Sequence, residues 1–349
     1  MGPALALWCM LAGFSEPVPD GAGAPRSAPA FFRRKVVTRD GVPLALYRHV
    51  PSGGGSRRPP VLLVPELGMG KDTFDLEGEG LAPFLAERGR EVFVVELRGQ
   101  GQSAAPRGWR LRELVSDDLP AVLEVIRALR PGPVDVVAHG FSGSLVLAAS
   151  VRELQGSIGK VVALSTPVEP EVPNELTATL LRQGGKFSLL AANPEGAKAF
   201  ALLFALGGNF RPSRLAALRS QATDLGKAAS ADLLGWMESG DLALADGSTV
   251  RSRLTQYDRP TLLVVPLRDN FAHGEFATPL RDVSRAKVSS RVLTRLELMA
   301  EDYSHLSMLH GTGARADVFA PALAFLDAPA LDPAADAGTL GAPGGGERR

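Results

Sequence analysis

Short runs of apolar, largely β-branched residues recur through the middle of the chain, separated by longer amphipathic stretches. Five of these runs begin at Val61, Val92, Val134, Val161 and Thr261. Continuous apolar runs of this length are typical of strands that are buried on both faces. The stretches between them, such as Ser116 to Gly132, have helical spacing and end at Gly or Pro. Alternating strands and helices predict a parallel sheet with right-handed crossovers.

Two departures from this alternation indicate the domain organisation. Asp40 and Gly41 stand between two extended runs and predict a β-hairpin, which adds an antiparallel edge to the sheet. From about Pro170 to Asp258 helical patterns follow one another without a strand run, which predicts an inserted helical cap. The predicted parts are a flexible or signal-like segment at 1–30, the core at 31–169 and 259–328, the cap at 170–258 and a disordered tail at 329–349.

Composition excludes some partners. The 349 residues include 38 Lys and Arg, 38 Asp and Glu, and 45% hydrophobic residues, as expected of a globular protein. Because the charges balance and neither sign forms a long block, no nucleic acid is expected as a partner. Cys9 is the one cysteine of the sequence, so an intrachain disulfide cannot form.

The apolar run from Ala4 to Phe14 bears on localisation. It is too short to span a bilayer but has the length of a signal-peptide core. No Lys or Arg precedes it, no small-x-small cleavage site follows closely, and Trp8 before Cys9 does not fit a lipoprotein pattern. We therefore expect a cytoplasmic protein without an integral membrane span, and export by an atypical signal segment is the alternative.

The segment VDVVAHGFSGSLVLAAS, from Val134 to Ser150, predicts a strand, a sharp turn and a helix. In that context a nucleophile elbow holds one side chain at a helix N-terminus, where backbone N–H groups favour a developing oxyanion. The segment resembles the elbow of the α/β-hydrolase family, whose pattern Gly-His-Ser-x-Gly-Gly aligns without gaps on Ala138 to Gly143. This resemblance places the nucleophile position at Gly140.

Three other segments extend the resemblance over roughly residues 31–328. VVELRGQGQS is similar to the family loop Asp-x-Arg-Gly-x-Gly-x-Ser, with Glu96 and Gln100 as substitutions that keep its shape. VVPLRDNFAH and EDYSHLSMLHG are similar to the acid and histidine loops, which implies Asp269 as the acid and His305 as the base. The histidine loop and the SGDLALADG stretch further resemble the branch that contains lipases and polyhydroxyalkanoate synthases. The resemblance implies an α/β-hydrolase fold and a hydrophobic small molecule or acyl compound as ligand.

Two departures from the family pattern affect the implied activity. Gly140 has no hydroxyl or thiol, so the covalent route is closed at that position. The loop VPELG replaces the usual His-Gly of the oxyanion loop and places Glu66 beside the implied N–H donors, Leu67 and Phe141. A carboxylate there is expected to repel an oxyanion. We expect Gly140→Ser alone to fold with little change but to give little activity without Glu66→Gly.

Ser142 is an alternative nucleophile. Residues 140–144 read GFSGS and nearly restore the pattern Gly-x-Ser-x-Gly. A shift of two residues, however, would lengthen the strand and move the helix out of register, so a first-turn or capping hydroxyl is the simpler interpretation.

No metal or cofactor pattern is present in the sequence. His139 precedes the elbow and is interpreted as structural, and His273 and His310 have no partner at metal-ligand spacing. The glycine triplets at Gly53 and Gly344 lack a following strand-to-helix unit and are interpreted as linkers.

The sequence therefore predicts an α/β-hydrolase-fold protein that is inactive or strongly impaired as a serine hydrolase and that binds an apolar ligand or a partner. The alternative is a hydrolase that acts on an ester or other hydrophobic carbonyl compound. That enzyme would work through a His305–Asp269 dyad, in which the histidine activates water, or through Ser142. The dyad is also compatible with a purely structural hydrogen-bonded pair.

Overall fold

The computed structural model describes residues 30–52, 56–205, 210–272 and 280–329, and these contain an eight-stranded sheet. In chain order, β1 to β8 are Ala30–Val37, Pro43–Val50, Val61–Val64, Val92–Glu96, Val134–His139, Ile158–Leu164, Thr261–Pro266 and Val288–Leu293. The spatial order is β1-β2-β4-β3-β5-β6-β7-β8. Strand β2 is antiparallel to β1 and β4, and the other pairs are parallel. The predicted mostly parallel sheet is confirmed.

Side chains of the central strands alternate between two apolar cores. In β3, Leu62 and Val64 pack into one core, while Val61 and Leu63 pack into the other. Burial on both faces explains why these strands read as continuous apolar runs. Strand β8 reads VSSRVL and is mostly exposed or half-buried, so the hydrophobic pattern does not predict it.

The predicted hairpin is confirmed. Strands β1 and β2 pair antiparallel from Ala30 opposite Val50 to Val37 opposite Pro43. Gly41 in the turn has a φ of +85°, a conformation that glycine adopts without strain.

Helices flank the sheet. They are, in chain order, α1 (Leu81–Glu87), α2 (Leu111–Glu113), α3 (Leu119–Leu129), α4 (Gly140–Ala149), α5 (Glu175–Arg182), α6 (Pro194–Phe200), α7 (Pro212–Ser220), α8 (Lys227–Ser239), α9 (Val250–Leu254), α10 (Ser307–His310) and α11 (Ala320–Asp327). The buried residues of α3 and α4 belong to one core, and those of α1 and α11 to the other. Among the described helices, none is both long and apolar enough to cross a membrane.

Helices α5 to α9, which we call the helical segment, lie between β6 and β7. Phe200 and Phe204, at and just after the end of α6, pack into a third apolar cluster with Met69 and Leu306 from loops of the core. This contact holds the helical segment over the carboxyl edge of the sheet. The limits of 170 and 258 predicted for a cap fall in the flanking loops and stay predictions.

Some sequence-based expectations concern residues outside the described ranges. These are the apolar run at 4–14, Cys9, His273, the triplets that begin at Gly53 and Gly344, and the predicted terminal segments up to residue 29 and from residue 330.

Glu96 holds the loop that follows β4. Its carboxylate accepts hydrogen bonds from the backbone N–H groups of Lys71 at 3.0 Å and Gln102 at 2.7 Å, and from the Tyr47 hydroxyl at 3.1 Å. Gly101 lies directly against this carboxylate, because an added Cβ would be 2.2 Å from the Cδ of Glu96.

Gly101→Ala is therefore expected to destabilise the fold by about 2 kcal/mol, since the buried carboxylate cannot move without losing its donors. Gly108→Ala is the matched control, because Gly108 also has a positive φ but no atom lies within 4 Å of the point that its Cβ would occupy. Urea unfolding of the two variants measures the difference. Equal losses of stability would show that the backbone conformation alone, and not the Glu96 contact, requires glycine.

Candidate active site

Gly140 stands at the sharp turn from β5 into α4. Its φ of +58° lies in the left-handed region, whereas His139 before it is extended. A strained strand-to-helix turn of this kind is the backbone of a nucleophile elbow. The position that the resemblance assigns to the nucleophile thus lies at the apex of the turn, and glycine leaves it without a side chain.

The carboxylate of Glu66 occupies the space above Gly140. Glu66 follows β3 and is 5% exposed. Its Oε1 accepts hydrogen bonds from the N–H groups of Leu67 at 2.5 Å and Phe141 at 3.1 Å, and its Oε2 lies 3.0 Å from the same Phe141 nitrogen. Leu67 and Phe141 are the two donors that the sequence implied for an oxyanion hole. Both donate to a carboxylate of the protein itself.

The observed conformation of Glu66 is possible only with glycine at position 140. An added Cβ at Gly140 would lie 1.4 Å from Oε2 of Glu66 and 2.2 Å from its Cδ. Such separations are far inside van der Waals contact, so the carboxylate would have to leave its site. The sequence-based expectation that Gly140→Ser alone folds with little change did not include this displacement of Glu66, and it stays a prediction.

The backbone of Glu66 is fixed from a second loop. Gln100, which follows β4, donates from Nε2 to the Glu66 carbonyl oxygen at 2.9 Å and accepts at Oε1 from the Leu97 N–H at 2.9 Å. The Met69 N–H also donates to the Glu66 carbonyl, at 3.1 Å. Gln100, the substitution in the loop after β4, thus anchors the backbone of the residue whose side chain fills the elbow.

His305 lies between two carboxylates. Its Nδ1 is 3.1 Å from Oδ2 of Asp269, and its Nε2 is 3.4 Å from Oε2 of Glu66. Asp269 is itself held by the N–H groups of Phe271 at 2.7 Å and Ala272 at 3.2 Å. The Asp269–His305 separation falls within hydrogen-bond reach, as expected, and the histidine faces Glu66 over Gly140.

Ser165 joins this pair and was not indicated by the sequence. Its hydroxyl donates to Oδ2 of Asp269 and lies 2.7 Å from Nδ1 of His305. Ser165 follows β6 with a φ of +49°. A serine after a strand is common, and the left-handed backbone conformation of this one is uncommon for a residue other than glycine and is not visible in the sequence.

The surroundings of His305 set its charge. Burial alone lowers the pKa of His305, but the carboxylates of Asp269 and Glu66 outweigh it and raise the pKa to about 9. At neutral pH the ring is therefore an imidazolium ion. It can donate protons from both nitrogens, but it has no free lone pair with which to act as a base.

The other described histidines and the serine singled out in the sequence form no hydrogen bond with Glu66 or Asp269, although the His139 ring packs against the His305 ring with centroids 4.3 Å apart. His139 Nε2 is 3.1 Å from the His305 carbonyl oxygen, and burial followed by the charge of His305 holds the pKa of His139 well below 6.5. His310 accepts at Nδ1 from Arg214 at 3.2 Å. Ser142 is buried in the first turn of α4, and its hydroxyl has no hydrogen-bond partner among the described residues. Within those residues no group of three or more metal-ligating side chains occurs.

A small cavity of about 30 Å³ lies over Glu66. The helical segment contributes Thr177 and several apolar side chains to its lining, and the core contributes Phe141 and Phe271 together with Glu66. The floor is thus a carboxylate, while the walls are predominantly apolar.

Comparison with known proteins assigns the family. A profile of the alpha/beta hydrolase family matches residues 61–323, which is most of the chain. The chain belongs to this family. The α/β-hydrolase fold predicted from the elbow and its companion loops is thereby confirmed, with the eight-stranded sheet described above.

Solved structures of other alpha/beta hydrolases share the fold. An esterase from Exiguobacterium antarcticum is 18% identical with a TM-score of 0.62, over 84% of this chain and 99% of that one. An enol-lactonase from Burkholderia xenovorans is 17% identical with a TM-score of 0.59, over 84% and 99%. A thermophilic esterase from Thermogutta terrifontis is 16% identical with a TM-score of 0.59, over 84% and 97%. No curated protein matches the sequence. At these identities the likeness concerns the fold alone.

Proposed function

We propose that this member of the alpha/beta hydrolase family is not a serine hydrolase and that it binds a small, largely apolar molecule in the cavity over Glu66. The observation that carries the proposal is the Glu66 carboxylate, which accepts the N–H groups of both Leu67 and Phe141. A tetrahedral intermediate would need the same two donors for its oxyanion.

Three features of the site support the loss of ester hydrolysis. Gly140 supplies no nucleophile. The carboxylate of Glu66 would repel a developing oxyanion beside it, and this repulsion is strong in a buried site. Finally, His305 is held as an imidazolium ion between Glu66 and Asp269, so it cannot accept the proton of an attacking hydroxyl at neutral pH.

The ligand is proposed from the lining of the cavity. Apolar side chains from the helical segment and from the core form its walls, and such walls favour an apolar ligand. Esterases and an enol-lactonase among the structural neighbours support a hydrophobic compound. The tyrosine-containing histidine loop supports a place near lipases and polyhydroxyalkanoate synthases, with the helical segment as a cap.

The test is exposure of the full chain to nitrophenyl esters of several acyl lengths and to a fluorophosphonate probe. We expect no turnover above buffer and no covalent label, because Gly140 carries no hydroxyl and a protonated His305 cannot activate one. Ser142→Ala is the control for the alternative nucleophile. A label on the folded protein that Ser142→Ala removes would refute the proposal and assign Ser142 as the nucleophile.

The His305–Asp269 dyad supports a second candidate, a hydrolase that activates water directly. The 3.1 Å contact between the two side chains favours it. Because the base form of His305 exists only as the pH approaches and passes about 9, this activity would rise in alkaline solution and vanish in His305→Ala. Activity that is equal at pH 7 and pH 9.5 would exclude this dyad as its source.

A further inference from the structure

The buried charges beneath the cavity do not balance. Glu66 and Asp269 are both buried carboxylates, and His305 between them supplies at most one positive charge. In the part of the chain that the structure describes, no Lys or Arg side chain pairs with either carboxylate. Backbone N–H groups offset part of the excess, but with both carboxyl groups ionised the site has a net negative charge whether His305 is charged or neutral. Buried charge of this kind favours a cation.

Four phenylalanine rings line the same cavity. Phe141, Phe271, Phe204 and Phe187 form a continuous series with centroid separations of 6.3, 5.5 and 6.3 Å, which we call the aromatic wall. Aromatic faces carry negative electrostatic potential and attract organic cations, most strongly where water is excluded. The aromatic wall therefore suits a ligand that is cationic at one end and apolar at the other.

The hydroxyl of Thr177 is a polar group at the cavity that forms no hydrogen bond within the described ranges. Thr177 lines the cavity and is 4% exposed. Leaving a buried hydroxyl unpaired costs free energy, so such a group indicates a ligand atom that would pair with it. A hydroxyl can accept a hydrogen bond from an ammonium group.

We propose that the cavity over Glu66 binds the ammonium group of a small primary alkylamine. The ammonium would donate to the Glu66 carboxylate and to the Thr177 hydroxyl, and the alkyl part would lie against the aromatic wall. This inference rests on the proposed function, because it names the class of the molecule that the cavity binds. Primary amines fit better than quaternary ones, since a quaternary nitrogen has no N–H to donate to Thr177 or Glu66.

The size of the cavity determines which molecule is a suitable probe. About 30 Å³ admits a group little larger than a water molecule before side chains move, which suits an –NH₃⁺ group with a short alkyl chain. Ethylammonium has three heavy atoms, so its dissociation constant is expected to be millimolar or weaker. Its neutral counterpart of the same shape is ethanol, which makes a matched comparison possible.

The experiment is an NMR titration of the full chain carrying ¹³C-methyl methionine. Met237 lines the cavity, while Met308 is buried in the opposite core and serves as an internal control. Ethylammonium chloride is added at constant ionic strength against sodium chloride, and Met237→Leu assigns the signal. We expect a saturable shift of the Met237 methyl with ethylammonium, and at least tenfold weaker binding of ethanol.

One variant of Glu66 and one of Thr177 test whether these two side chains bind the ammonium group. Glu66→Gln keeps the shape and should weaken ethylammonium at least tenfold, while Thr177→Val should weaken it a few-fold. Asp269→Asn removes a charge at a residue that does not itself line the cavity and should also weaken the binding of ethylammonium.

Equal binding of ethylammonium and ethanol, or an unchanged affinity in Glu66→Gln, would overturn the inference. If ethane, an apolar probe no larger than ethylammonium, shifts Met237 and ethylammonium does not, the inference fails and the proposed apolar site stands. If neither does, both fail.

Discussion

Gly140→Ser is expected to destabilise the protein by about 3 kcal/mol, although the resemblance of the elbow to the family pattern implies a serine at this position. The new Cβ would fall on the site of Oε2 of Glu66, 1.4 Å away. Glu66 would then have to give up its bonds to Leu67 and Phe141, and its carboxylate would remain buried without equivalent donors. Urea unfolding of the variant and of the unchanged chain measures the loss.

Adding Glu66→Gly to Gly140→Ser is expected to recover most of that stability, because the second change removes the atoms with which the first collides. The two substitutions should therefore be strongly non-additive, with a coupling free energy of about 2 kcal/mol or more. Glu66→Gly alone is the matched control for loss of the carboxylate. Additive effects would mean that Glu66 turns out of the elbow at little cost.

The same double variant is expected to gain ester hydrolysis and fluorophosphonate labelling, which neither single variant should show. Removing Glu66 frees the N–H groups of Leu67 and Phe141 for an oxyanion, and one such donor is worth on the order of a hundredfold in turnover. It also removes one of the two carboxylates that keep His305 protonated. Hydrolysis by Gly140→Ser alone would show that Glu66 does not block the site.

The fold could be predicted because its central strands are buried on both faces and leave continuous apolar runs, as in β3 and β5. Strand β8 could not, because serine and arginine interrupt its sequence at an exposed edge. The hairpin followed from Asp40 and Gly41, whose backbone preferences are local. Elements that depend on local backbone preferences or on complete burial can therefore be predicted from the sequence. Partly exposed strands at the edge of the sheet cannot.

The site could be predicted only in part. Gly140, Asp269 and His305 follow from aligned motifs, and their approach in space follows from the fold. The sequence placed Glu66 near the N–H donors but could not show that its side chain turns back onto them, since this conformation forms through a tertiary contact with the Phe141 N–H in another element. Ser165 was missed because its role depends on one left-handed backbone angle. Tertiary contacts of this kind leave no periodic signal.

Stability is expected to fall by about 3 kcal/mol between pH 6.5 and about 9, and His305 is the source. Its pKa is higher in the folded protein than in the unfolded chain, where it is about 6.5. The stabilisation is therefore complete below pH 6.5 and is lost as the pH rises through the folded value. The groups that face the ring are Asp269, Glu66, the Ser165 hydroxyl and His139, whose pKa is lowered and which stays neutral across this window.

Urea unfolding at half-unit steps from pH 6 to 9.5 measures this loss, and NMR titration of the His305 ring gives its pKa directly. His305→Gln is the control, because it removes the titrating group and should flatten the curve between pH 7 and 9. Glu66→Gln should shift the ring pKa downward, since one of the two carboxylates that hold the proton is gone. A ring that titrates near 6.5 in the unchanged chain would contradict the assignment of His305 as an imidazolium ion between Asp269 and Glu66. His305 could then act as a base at neutral pH.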